Sequence, residues 1–294
     1  MKIPSVTIKN LLEAGVHLGH KTFRWNPKMD KFIFGSKNSI HIIDLVQTLE
    51  MTNKALIEIH KCISSGAKIL FVSTKKQASD TIASLAKDTS QFFVNHRWLG
   101  GMLTNWNTIS NSIKRYKKLS LDLKKENTGF TKKEILKMGI QRDKLERSLG
   151  GIADMKKVPD MIFIIDTNIE DLAVKEAKKL NIPIVAIVDT NSNPTGIDYP
   201  IPGNDDARRS INLYCELVKE TILDAQKYIA KESSQDLKIN DNKSEPKKIE
   251  QKNIKNEDKQ KKIETKNKTS ITTAKEISKS IISKVKSLTS KKDK

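Results

Sequence analysis

The sequence predicts an α/β fold: a doubly wound, mostly parallel sheet flanked by helices, with an inserted αα-hairpin and a disordered basic C-terminal tail. Three observations predict it. Ile69–Ser73, Phe92–Val94, Met161–Ile165 and Ile184–Val188 are short, almost wholly apolar and mostly β-branched or aromatic, which suits parallel strands covered on both faces. Helix-period segments separate them and give a βαβ rhythm. Residues 231–294 contain no Phe, Trp or Tyr and are dominated by Lys, Ser, Thr, Asn, Ile and Glu. Such a segment buries too little apolar surface to offset an ordering cost of roughly 1–2 kcal/mol per residue.

In chain order, Asp44 is placed to cap a long helix that ends near Gly66, with Leu45, Leu49, Leu56, Ile59 and Ile63 along one side. Lys75–Lys87 and Glu170–Leu180 read as crossover helices, and a last helix runs from about Asp205 to Ala230. One insertion breaks the rhythm. Ile109, Ile113, Tyr116, Leu119 and Leu123 form a helical stripe, and Ile135, Met138, Leu145 and Leu149 form another after a polar turn around Asn127–Thr131. Two amphipathic helices joined this way make an αα-hairpin. Its outer faces carry Lys114, Arg115, Lys117, Lys118, Lys124, Lys125, Lys132 and Lys133. The expected organisation is an α/β domain from 1–104 and 151–230, the hairpin at 105–150 and the tail at 231–294, with a weak helix near Ser270–Leu288.

Charge narrows the function. The formal net charge is +19. Residues 1–230 hold 35 basic and 25 acidic side chains, so the surplus is not confined to the tail. A basic folded body favours nucleic acid or another anionic partner. Cys62 and Cys215, without CxxC spacing, exclude a disulfide framework or a cysteine zinc site and read as buried free thiols. The N-terminus lacks the apolar run of a signal peptide, and no stretch approaches eighteen apolar residues. A soluble cytosolic protein with no membrane partner is expected.

Catalytic signals are missing where they would be needed. The strand at Ile69–Ser73 runs into Thr74, Lys75, Lys76 and Gln77, with neither GxGxxG nor GxxxxGK[ST] to cradle a pyrophosphate. His17, His20, His41, His60 and His96 are scattered, and there is no GxSxG elbow. Asp166 and Asp189 follow strands, at the carboxyl edge where open α/β sheets bind ligands; loop Asp residues also make Asx turns and caps. No cofactor is expected to be required. If His20, Asp189, Asp205 and Asp206 converge there, an imidazole and several carboxylates could hold zinc or magnesium. The alternative has Asp205 or Asp206 capping the last helix and the His residues in turn hydrogen bonds.

The segment Gln91–Trp106, QFFVNHRWLGGMLTNW, fits neither strand nor helix after Val94. Its arginine, flat rings, paired glycines and amides suit a surface turn that meets RNA. The candidate RNA face comprises Lys21, Arg24, Trp25, Asn26 and Lys28, then His96, Arg97, Trp98, Asn105 and Trp106, with Arg208 and Arg209 as a second cluster. Arginine can grip phosphate in two places and stack on bases, whereas lysine acts as a point charge. Trp25 or Trp98 read alone is better taken as a core anchor.

The same segment closely resembles the central signature of the S-two family, the second protein of the bacterial small ribosomal subunit. AGVHLGHKTFRWNPKM (Ala14–Met29), KFIFG (Lys31–Gly35), SLGGIADM (Ser148–Met155), IVAIVDTNSNP (Ile184–Pro194) and IPGNDDARRSI (Ile201–Ile211) continue the resemblance in order. It covers roughly residues 1–230. The resemblance implies a structural ribosomal protein, not an enzyme, with a coiled-coil-like insertion. Its implied place is the cytoplasmic ribosome, on the solvent side between head and body of the small subunit. Implied partners are ribosomal RNA and other small-subunit proteins, including the mRNA-binding first protein, which it would recruit. Ser73 stands where the family often has Gly, Asn193 where Asp is commoner, and the Lys-rich tail has no counterpart in these motifs. The competing readings are a small-ligand or metal-binding α/β enzyme using the sheet's carboxyl edge, and a protein-interaction module.

Overall fold

A computed structural model describes residues 4–124 and 129–241, with side chains through Ile229. One compact unit runs to Leu237; of the second, from Lys238, only the end of the last helix is described. The rest of the expected tail, its weak helix included, lies outside the described residues, as does Lys125 of the hairpin turn.

Five strands form the central sheet: β4 (Ile69–Val72), β5 (Phe92–Val94), β6 (Met161–Ile165), β7 (Ile184–Val188) and β8 (Tyr199–Pro202), in the order β5-β4-β6-β7-β8. All four pairings are parallel. Successive side chains of a strand point to opposite faces, and the core divides accordingly. Ile69, Phe71, Met161, Phe163, Ile165, Val185 and Ile187 enter one buried cluster, where the Phe71 and Phe163 rings meet edge to face at 5.6 Å. Leu70, Val72, Ile162, Ile164, Ile184, Ala186 and Val188 enter the other. This two-sided burial is why the strands read as continuous apolar runs.

The helices covering the sheet follow the sequence stripes closely. Helix α2 (Leu45–Ser64) is capped by Asp44, which accepts a hydrogen bond from the Val46 amide at 2.9 Å, and Leu56, Ile59 and Ile63 are buried along it. Gly66, at φ +77°, turns the chain in the left-handed region that glycine enters without steric cost. Helix α3 (Lys76–Asp88) starts one residue later than expected, and Lys75 precedes it with extended backbone. Helix α6 (Asp171–Lys179) is the second crossover.

The last helix, α7 (Arg208–Asp241), begins later and runs farther than expected. Its entry is corrected in kind as well. The Asn204 side chain, not that of Asp205 or Asp206, accepts hydrogen bonds from the Asp206 and Ala207 amides at 2.8 and 3.0 Å. Cys215 is buried and Cys62 half-buried; desolvation raises both thiols, to about 12 and about 11.

Helices α4 (Trp106–Asp122) and α5 (Lys132–Leu149) form the expected hairpin, α5 opening with a Thr131–Glu134 capping box. Ile109, Ile113 and Leu149 are buried near its root, whereas Ile135 is exposed and leaves the expected stripe. The N-terminal motif also forms elements its pattern did not reveal. After the short helix α1 (Ile8–Glu13), strands β1 (Leu18–Lys21), β2 (Ile33–Lys37) and β3 (Ile40–Ile43) make a separate antiparallel sheet in the order β1-β3-β2. Among the described residues no helix is long and apolar enough to cross a membrane.

A 3-10 turn at Gly150–Ile152 ties the hairpin root to edge strand β5. A Cβ on Gly151 would lie 2.1 Å from the Phe93 carbonyl oxygen and 2.9 Å from its ring. Backbone has little room to yield there, so Gly151→Ala should destabilise the fold by about 2–3 kcal/mol in urea unfolding. Unchanged stability would show that the root does not need this close approach.

Candidate nucleic-acid interface and acidic rim

The loop after β5 is held by one carboxylate. Glu176, on the buried side of α6, accepts hydrogen bonds from the Gly101, Leu103 and Thr104 amides, the Thr104 hydroxyl and the Trp98 indole, at 2.7 to 3.1 Å. Burial pushes its carboxyl up, but the Thr104 and Leu103 amides, the indole and the Gly101 amide together hold it below the ordinary range. Gly101, at φ +81°, lets the chain curl around this anion. Trp98 is only 6% exposed and lies in the same cluster as Met102, Leu103, Met29 and Phe32. Its place is therefore in the core, with its only polar group engaged, and its face is not offered for stacking.

Glu176 was not among the candidates from sequence. The available signal was its position: it shares a helical face with Ala173 and Ala177, both buried. A charged residue on an apolar face calls for a partner set.

Around this anchor the candidate residues separate. His96 and Arg97 are exposed just after β5, Asn105 is exposed ahead of α4, and Trp106 is half-buried against the core. Lys21, Arg24 and Lys28 are exposed on the N-terminal motif. Trp25 is 37% exposed, its ring centroid 5.4 Å from that of His41. Asn26 is structural: its side-chain oxygen accepts from the Lys28 amide, and its backbone N–H donates to the Thr190 carbonyl. Both motifs send anchors, Met29 and Phe32 from one and Trp98 and Met102 from the other, into a single buried cluster. Arg208 and Arg209 are exposed at the start of α7. Among the described residues, Lys21, Arg24, Lys28, Arg97, Arg208 and Arg209 make no ion pair with an acid.

The rim's acids, by contrast, are engaged: Asp166, Asp189 and Asp205 are buried, and the exposed Asp206 is also paired. Lys75 Nζ lies 3.1 Å from Asp166, 2.8 Å from Asp205 and 2.6 Å from Asp206. Burial works against this ammonium, yet Asp205, Asp206 and Asp166 outweigh it and raise its pKa. Asp205 is fully buried; desolvation and the charges of Asp166 and Asp189 push its carboxyl well up, and Lys75 offsets only part of that. His20 Nδ1 is 2.8 Å from Asp189, and Nε2 is 3.4 Å from Asp206. The Asp189 hydrogen bond raises the imidazole pKa against the lowering effect of burial. Asp166, at φ +67°, makes an Asx turn to the Asn168 amide.

Thus His20, Asp189, Asp205 and Asp206 converge at the carboxyl edge. Ligand atoms of His20, Asp189 and Asp205 fall within 4.8 Å of one another. The donor set suits a divalent cation, and Asp205 Oδ2 is buried without a hydrogen-bond partner. Sequence reading did not include Lys75, which it placed simply at the start of a helix; the residue is a tethered cation among the same carboxylates.

Removing the Glu176 carboxylate would leave the buried Trp98 indole and Leu103 amide unpaired and strip the loop's other donors of their shared acceptor. Glu176→Ala should cost about 3 kcal/mol or more in denaturant unfolding. Because the folded pKa is depressed, the stabilisation is complete above the unfolded value and is lost as pH falls through the folded one. Glu176→Gln should therefore flatten the acid side of the stability profile; a wild-type acid limb in that variant would assign it to other groups.

Comparison with known proteins matches this architecture to one family. A family model described as Ribosomal protein S2 matches residues 11–225. The small ribosomal subunit protein uS2 of Parvibaculum lavamentivorans is 55% identical over 224 residues, covering 76% of this chain and 88% of its own. The protein of that name from Phenylobacterium zucineum is 57% identical over 76% of each chain. That from Bartonella quintana is 58% identical over 76% of this chain and 87% of its own. These relatives carry the name of a ribosomal protein, not of an enzyme. The chain belongs to the ribosomal protein S2 family.

Proposed function

We propose that this protein is an architectural component of the small ribosomal subunit in the cytoplasm, binding ribosomal RNA through the exposed bases around the carboxyl rim. The observation that carries this reading is the sorting of charge there. Lys75 and His20 engage Asp166, Asp189, Asp205 and Asp206, while Lys21, Arg24, Lys28, Arg97, Arg208 and Arg209 stay exposed without acidic partners. A polyanion approaching that rim meets the cations first. His96, Asn105 and the exposed edges of Trp25 and Trp106 add hydrogen bonds and flat surface, with Asn26 holding the backbone between them. Contact with neighbouring small-subunit proteins, and recruitment of the mRNA-binding first protein, belong to the same reading and rest on the family.

Arg24→Glu combined with Arg97→Glu should leave the isolated fold intact and weaken association with small subunits, most visibly as salt rises. Lost phosphate contacts should reduce the salt slope by about one each. Gradient sedimentation of extracts at low and high salt checks this; normal incorporation of the double variant would refute the choice of contacts.

A second reading concerns the acidic cluster. The orphaned Asp205 Oδ2 favours a divalent cation, zinc or magnesium, held by His20, Asp189, Asp205 and Asp206, with Lys75 as a resident competitor. A bound ion would offset the buried negative charge that one ammonium leaves. Thermal unfolding with added Zn2+ or Mg2+ should then show a raised Tm, absent in Asp205→Asn. Equal Tm values with and without either metal would exclude the site.

A further inference from the structure

A separate cavity of about 790 Å³ opens at the root of the hairpin, away from the acidic rim's His20 and Asp205. It falls in the size range, roughly 300–1,000 Å³, of sites that bind small ligands. Lys87, Phe93 and His96 line it from the sheet side, and Tyr116, Glu146 and Arg147 from the hairpin. The two sides are fixed to each other by the close seat of Gly151 on Phe93.

The chemistry of the lining is mixed in an informative way. Tyr116 is half-buried and His96 exposed, so two rings are available to a flat ligand, while Phe93 is seated on Gly151 and packs against the core. Lys87 Nζ lies 6.0 Å from the Phe93 ring centroid. Arg147 is exposed with no acidic partner among the described residues. Three acids also line the cavity, but two are already engaged: Asp143 by Arg142 and Asp154 by Lys117, each at 2.9 Å. Glu146 lies near enough to Arg142 to influence it electrostatically, yet its carboxylate accepts no hydrogen bond from a described residue.

A cleft meant only for phosphate would not include a free carboxylate, which repels it. An ionised carboxylate is acceptor-only and seeks N–H donors. Rings for stacking, cations for a flanking phosphate and one acceptor for an amino group together describe an unpaired nucleobase. We infer that this cavity takes an extruded base of RNA bearing an exocyclic amino group, stacked against Tyr116, with Glu146 accepting from the amine. Uracil, whose pairing edge has a carbonyl in place of that amine, is disfavoured. The inference rests on the RNA-binding reading above and assigns it a base-selective subsite.

Octacytidylate and octauridylate carry the same phosphate charge and differ in the amine, so they separate base reading from electrostatics. Fluorescence anisotropy with the full chain at one moderate salt concentration should show cytidylate bound about five- to ten-fold more tightly. Glu146→Ala, at an exposed position, should remove that preference and leave uridylate binding no weaker. Tyr116→Ala should weaken cytidylate about ten-fold. Equal wild-type affinities, or a preference that survives Glu146→Ala, would overturn the subsite while leaving the RNA reading intact. Failure of both oligonucleotides to bind at all would remove both.

Discussion

Glu176 does for the loop after β5 what a ladder of backbone hydrogen bonds does for a strand. That loop has no periodic structure of its own, so its amides need partners from elsewhere. One carboxylate reaching across from α6 gathers three of them together with a hydroxyl and an indole. Met102 and Leu103 are thereby held in the core, and the start of α4 follows directly. The exposure of Arg97 is a by-product of the same arrangement: with Trp98 drawn inward, its neighbour is left at the surface. The start of the hairpin, and the part of the candidate RNA face that lies on this loop, both follow from this buried anion.

The rim shows how a fold common to nucleotide enzymes can serve without a phosphate loop. In place of small residues after β4 stands Lys75, whose ammonium lies among the carboxylates of Asp166, Asp205 and Asp206. The acids that would invite a catalytic reading are tied into a network of ion pairs with Lys75 and His20. Of these acids only Asp206 stays exposed, beside the outward-facing Lys21, Arg24, Arg208 and Arg209. The geometry that gathers acids at the strand ends is also what leaves the arginines free.

The sheet was legible from sequence because two-sided burial writes itself as unbroken apolar runs, seen in Ile69–Val72, Met161–Ile165 and Ile184–Val188. Asp44 and the α2 stripe were legible because capping and period are local. The antiparallel trio β1-β3-β2 was not, since Leu18–Lys21 and Ile40–Ile43 are too short and too mixed to show alternation, and their pairing is tertiary. Strand β8 was hidden by two prolines. Convergence of His20 with Asp189 and Asp205 stood in the sequence only as a condition, beside the alternative of caps and turn hydrogen bonds, because loop residues far apart in the chain carry no pairing signal. The roles of Lys75 and Glu176 were not legible, because a lysine before a helix and a glutamate within one look solvated until the opposing surface is known. Trp98 was visible as a functional residue only through its neighbours, and its burial gives it to the core.

The prolines of β8 have a consequence beyond hiding the strand. Pro200 and Pro202 pair across from Ala186 and Val188, and the Gly203 amide donates inward to the Val188 carbonyl. Odd-numbered positions therefore face β7, and the prolines fall where amides would have pointed away from the sheet. That margin offers no N–H from either position to another chain. At the opposite margin β5 is only three residues long and is overlaid by the turn at Gly150–Ile152. A parallel sheet this apolar would otherwise be a template for edge-to-edge polymerisation. With one margin lacking outward N–H donors at its prolines and the other short and overlaid, this five-stranded sheet is guarded against pairing strand to strand with another copy.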